Sequence, residues 1–172
     1  MLPLYFGPPH RPLFGAYHPS TLAAARDVQQ SLPRDVQQSL PRDVQQALPR
    51  DLPGDAPQPH PSGVGVVLCS PFGHEEHHAH RSERHLAERL ARAGFPALRF
   101  DYDATGDSAG DDREGGRVAA WRESIVHAAD ALRERAGVGK VVLVGLRGGA
   151  LLALTTAIEA RADSLVLWNP IT

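Results

Sequence analysis

The stretch Val144-Gly145-Leu146-Arg147-Gly148-Gly149-Ala150 sets one arginine among glycines, where an apolar run gives way to a helical pattern. Glycines around a central residue suit a sharp strand-to-helix turn, because side chains there would strike the adjoining backbone. With serine at its centre the turn would be a GxSxG nucleophile elbow. Arginine has no usable nucleophilic atom and stays charged at any working pH. Arg147 can instead bind a carboxylate or phosphate at the helix start, or pair with a local acid, with Asp101 and Asp107 as the candidates.

A second cluster, His74-Glu75-Glu76-His77-His78, satisfies HExxH through His74, Glu75 and His78. In a metalloprotease that spacing supplies two zinc ligands and a general base from one helix face. Here it directly follows Gly73 after an apolar run, and its neighbours His77, His80 and Arg81 are polar, so no metal site is assigned. Asp101, Asp103, Asp107, Asp111 and Asp112 form a carboxylate run whose oxygens could gather around a divalent cation. Thr105-Gly106-Asp107-Ser108 within it reads better as a turn closed by its own side chains, and Ser108 has no visible base to make it a nucleophile. Cys69 stands near the end of an apolar run and reads as core packing.

The elements that must position these groups follow from periodicity. Continuous apolar runs at Gly65–Ser70, Ala97–Tyr102, Val141–Leu146 and Ser164–Asn169 suit strands buried on both faces, as in a parallel sheet. Between them lie three helical patterns: Leu86 and Leu90 in the first, Val118, Trp121, Ile125 and Leu132 in the second, and Leu151, Leu154 and Ile158 in the third. Gly94 and Gly137 mark where the first two stop. Trp121 and Trp168 fall on apolar faces and are expected in the core. The alternation predicts a doubly wound α/β fold, with Leu2–Phe6 and Leu13–Tyr17 as an antiparallel hairpin at the sheet edge. Ligands of open α/β sheets bind beyond the carboxyl ends of the strands, where the loops just described lie.

Composition excludes several classes. With 18 basic and 20 acidic residues the net charge is −2, which offers no attraction to nucleic acid or anionic lipid. One cysteine permits no internal disulfide and no CxxC pair. The first 17 residues lack the basic start and apolar run of a secretory signal, and no segment is apolar enough to span a membrane, so a cytoplasmic protein is expected.

Twelve of the 15 prolines fall at or before Pro61. There an octapeptide recurs, RDVQQSLP from Arg26 and Arg34 and RDVQQALP from Arg42. A unit with Val and Leu as its apolar residues, closed by proline, cannot build a solenoid, so residues 20–61 are expected to form a flexible insert between a hairpin (1–19) and an α/β core (62–172).

The segments LCSPFGHE (68–75), HRSERHLAERLARAGFPALRFDYDATGDSAG (80–110) and GLRGGALLA (145–153) resemble the α/β-hydrolase superfamily. More narrowly they resemble the bacterial exosortase A system-associated hydrolases, whose first hairpin is similar to LYFGPPHRPLFGAYHP (4–19). An arginine at the elbow is common in that subgroup, so the resemblance implies that Arg147 is not a damaged serine. It also implies an oxyanion hole made by Phe72, Gly73 and the Gly148 amide, an acyl or anionic small-molecule substrate, and no cofactor. His74, His80, Asp107 and Arg147 are the candidate substrate contacts. The superfamily's acid and histidine follow the elbow by two further strands, beyond Thr172. The expected sheet is therefore truncated, with an apolar edge for self-association or a partner to cover.

Two functions follow as expectations: a hydrolase or acyl transferase acting on an ester or thioester, or a non-catalytic binding or accessory protein holding an anion at Arg147. An inactive truncated fragment is the third possibility.

Overall fold

Residues 1–20 and 63–171 are described by the computed structural model. The octapeptide array and the flexibility expected of it lie outside these described residues.

Six strands form one sheet in the order β1-β2-β4-β3-β5-β6. The hairpin is β1 (Leu2–Phe6) and β2 (Leu13–His18), and the remaining strands are β3 (Val64–Cys69), β4 (Ala97–Phe100), β5 (Lys140–Leu146) and β6 (Ser164–Trp168). The hairpin strands pair antiparallel, and β2 also lies antiparallel on β4, whereas β4, β3, β5 and β6 are mutually parallel. Helices α1 (His74–Arg92), α2 (Arg117–Ala136) and α3 (Gly148–Thr156) make the crossovers. The Gly137 expectation is met at the end of α2 by a left-handed cap, and Gly94, also at positive φ, follows α1 by two residues.

Strand alternation divides the core between two faces. Val67, Cys69, Leu98, Phe100, Val141 and Leu143 pack with Ile125, Ala128, Ala129 and Leu132 of α2 and with Leu152 and Ala153 of α3. Val66, Leu68 and Ala97 face the other way, onto Ala87 with Leu86 and Leu90 alongside. The inward stripe of α1 is Ala79, Glu83, Ala87 and Ala91, four residues apart. Small side chains there bring the helix close to the sheet, and Leu86 and Leu90 flank the contact.

At its far end the register aligns His18 with Ala97, and Ala97 in turn with Val66.

Three apolar expectations are corrected. On α3 the buried residues are Gly148, Gly149, Ala150, Leu152, Ala153 and Thr156, while Leu151, Leu154 and the following Ile158 face outward. Crowding against the sheet selects the small face of α3 and turns the leucines away. Val118, in the first turn of α2, is exposed too. Trp168 is 58% exposed, because β6 is the edge of the sheet among the described residues, and only β5 flanks it. No described helix is long and apolar enough to cross a membrane.

Candidate functional site

β5 delivers the chain into Arg147, which adopts φ 56° and ψ −121° before α3 begins at Gly148. This lies outside the regions open to non-glycine residues and costs on the order of 1–3 kcal/mol. Packing on both sides enforces it. A Cβ on Gly145 would strike the Ala150 backbone, and one on Gly149 would strike the carbonyl oxygens of Cys69 and Ser70. The Arg147 amide donates to the Trp168 carbonyl at 3.0 Å, and its own carbonyl accepts from the Ala150 amide at 3.1 Å.

The Arg147 side chain turns toward α1. Its Nε–H donates to Glu75 Oε1 at 3.0 Å, and Nη2 lies 2.9 Å from the same oxygen. This replaces the expected pairing with Asp101 or Asp107. The strand order explains the difference. β3 and not β4 neighbours β5, so the helix that begins after β3, with Glu75 in its first turn, stands beside the elbow. One carboxylate oxygen leaves most of the five guanidinium donors of Arg147 available, and the side chain is 38% exposed.

The turn Pro71-Phe72-Gly73 closes the site from the β3 side. Gly73 has φ 67° and stands directly before α1. A Cβ on Gly148 would run into the Phe72 ring, which therefore lies against the head of α3. Among the described residues neither the Phe72 nor the Gly148 amide is hydrogen-bonded. Phe72 packs on Trp121 with ring centroids 5.1 Å apart, and the Trp121 indole N–H donates to the Asp103 carbonyl at 3.0 Å.

The aspartate loop is engaged in structure. Arg11 of the hairpin reaches both oxygens of Asp103, at 2.5 and 2.8 Å, and Glu114 as well. Both acids hold the Arg11 guanidinium well above its ordinary pKa. Asp101 accepts the Asp107 amide at 2.9 Å, while the Ser108 hydroxyl donates to the Asp101 carbonyl at 2.7 Å and accepts from the Phe14 amide at 2.9 Å. Asp107 itself is exposed on this turn. Among the described residues no three metal-ligating side chains converge.

The histidine segment forms the first two turns of α1. His74 is exposed and its ring meets that of His78 at 4.6 Å, whereas His80 takes a ring-nitrogen contact from Arg99 at 3.1 Å. Partial burial and then the Arg99 charge lower the His80 pKa. Cys69 is buried, and burial pushes its thiol up. A cavity of about 670 Å³ lies elsewhere, between β1 and α2, and has none of the elbow residues in its lining.

Sequence reasoning missed two links in this network. Glu75 stands out in the sequence only through the HExxH spacing, which carries no assignment, and Glu83 carries no signal beyond its place four residues from Ala79 and Ala87.

No family model matches the sequence, and no curated protein matches it. Solved structures do. An α/β serine hydrolase without a lid from Xanthomonas campestris superposes with TM-score 0.60 at 19% identity, over 95% of this chain and 58% of that one. An esterase from Pyrococcus furiosus gives 0.61 at 15%, over 98% and 48%. Est1E from Butyrivibrio proteoclasticus, solved with ferulic acid bound, gives 0.57 at 17%, over 97% and 52%. The chain has an α/β-hydrolase fold and spans about half the length of these neighbours.

Proposed function

We propose that this chain is a binding protein on the α/β-hydrolase fold, in which the guanidinium of Arg147 receives the carboxylate of a small acyl-type ligand. The observation that carries the reading is Arg147 itself. It occupies the elbow in the strained conformation, half-exposed, with Glu75 holding one side of a guanidinium whose other donors are unspent. A carboxylate accepts such paired N–H groups in one plane. The unbonded Phe72 and Gly148 amides supply further donors beside it. No serine acyl-enzyme forms at this elbow. The reading keeps the chain within the exosortase-associated subgroup its motifs resemble, as a cytoplasmic accessory protein.

The test uses benzoate as the probe, followed through the Arg147 Nε–H resonance in labelled protein. Saturable movement of that resonance, with affinity by calorimetry lowered about tenfold or more in Arg147→Ala, supports the reading. A resonance that does not move with benzoate overturns it.

A second reading, hydrolysis of an ester or thioester, draws on the two unbonded amides as the donors an oxyanion hole would need, and on neighbours described as hydrolases and esterases. It needs a nucleophile other than residue 147. Covalent labelling of the unmodified chain by a fluorophosphonate would favour it over binding alone.

A further inference from the structure

The turn that carries Phe72 to the elbow is held at its root by Ser70. The Ser70 hydroxyl donates to Glu83 Oε2 at 2.6 Å, and both residues are buried. The Ser70 carbonyl accepts from the Tyr102 hydroxyl at 3.0 Å. On its remaining side α3 approaches so closely that a Cβ on Gly149 would strike the same carbonyl. Ser70 is thus fixed from α1, from the end of β4 and from α3, one residue before the Pro71–Gly73 turn.

Glu83 is the unusual member of this arrangement. It interrupts an alanine stripe on the face of α1 pressed against the sheet, where a carboxyl is costly unless bonded. Burial raises its pKa, while the Ser70 hydrogen bond and the nearby Arg99 charge oppose that rise. A fourth small or apolar residue would pack α1 at least as well, since apolar replacements of buried polar groups are often neutral or stabilising. The hydrogen bond it makes reaches a loop residue rather than the sheet.

We propose that Glu83 is a positioning residue which, through Ser70, sets the Pro71–Gly73 turn so that the Phe72 ring and amide face Arg147 and Gly148. The proposal rests on the carboxylate-binding reading above. α1 then carries two acids with separate duties at one site: Glu75 holds the arginine, and Glu83 holds the opposite wall.

The experiment compares Glu83→Leu, Ser70→Ala and Glu83→Gln by amide NMR, with benzoate as ligand. Glu83→Leu and Ser70→Ala are expected to shift the Phe72, Gly73 and Gly148 amides and to weaken benzoate about tenfold. Glu83→Gln still accepts from the Ser70 hydroxyl and should stay within about threefold of the parent. Amides that keep their positions and an unchanged affinity in folded Glu83→Leu overturn the proposal. If that variant does not fold, the same result in Ser70→Ala overturns it. Should the parent chain bind no benzoate, the binding reading fails, and the amide shifts of the variants still decide the positioning role.

Discussion

At the β2–β4 end of the sheet charged and polar groups are buried, while at the β6 end apolar ones lie open. Asp103, Arg99 and His18 are each less than a tenth exposed, whereas Val166 and Trp168 are at least half exposed. The first region is enclosed by the hairpin, α1 and the aspartate loop, and its charges survive burial mostly by pairing. Even so, His18 Nε2 and Arg99 Nε have no hydrogen-bond partner among the described residues. The second region has strands as apolar as any in the core, with β5 alone beside β6 among the described residues. Burial here is a property of position in the strand order, not of side-chain hydrophobicity.

The contrast can be tested by mutation. Leu143→Ala, at a fully buried position on β5, should cost about 3 kcal/mol in urea unfolding, while Leu167→Ala on β6 should cost under about 0.5 kcal/mol. Equal losses would remove the contrast. Asp103→Asn weakens the Arg11 clasp at the enclosed end and should cost about 2 kcal/mol, with the loss reduced in an Arg11→Ala background as a double-mutant cycle requires.

His18 gives the enclosed end a pH signature. Burial, with the amino terminus and Arg99 adding to it, lowers its pKa from 6.5 to about 4. Its ring stays neutral in the folded chain where the unfolded chain takes up a proton. That contribution to stability is whole above pH 6.5, falls as the pH drops toward 4, and levels off below. The loss should approach about 3 kcal/mol, and His18→Leu should flatten the profile over this window. The smallest effect on stability is expected at the open end. Leu167→Lys should leave the unfolding midpoint nearly unchanged. If β6 associates with a second copy through its edge, the same substitution should remove any concentration-dependent species from sedimentation velocity.

Most of the framework was legible because it is local. Apolar runs marked β3 to β6 within a residue or two, glycines marked the ends of α1 and α2, and Thr105–Ser108 read as the turn it is. What failed depends on neighbours that sequence order does not reveal. Trp168 and Val166 are as apolar as the buried strands, and they are peripheral because β6 has one neighbour among the described residues. The outward leucines of α3 misled because apolar periodicity marks a face without saying which face is wanted. There the small residues won, since the elbow draws α3 hard against β3 and β5. The same non-sequential order, β4-β3-β5, hid Glu75 as the partner of Arg147.

The register at the end of β2 fixes where the segment between hairpin and core is anchored. His18 and Val66 both align with Ala97, so the two chain ends that flank residues 21–62 leave the sheet two strand spacings apart, about 10 Å. They leave from the edge opposite the elbow, since β3 and β5 point their carboxyl ends at Arg147 and β2 runs the other way. Both anchors of that segment therefore lie at the end of the sheet away from the Pro71–Gly73 turn and Arg147.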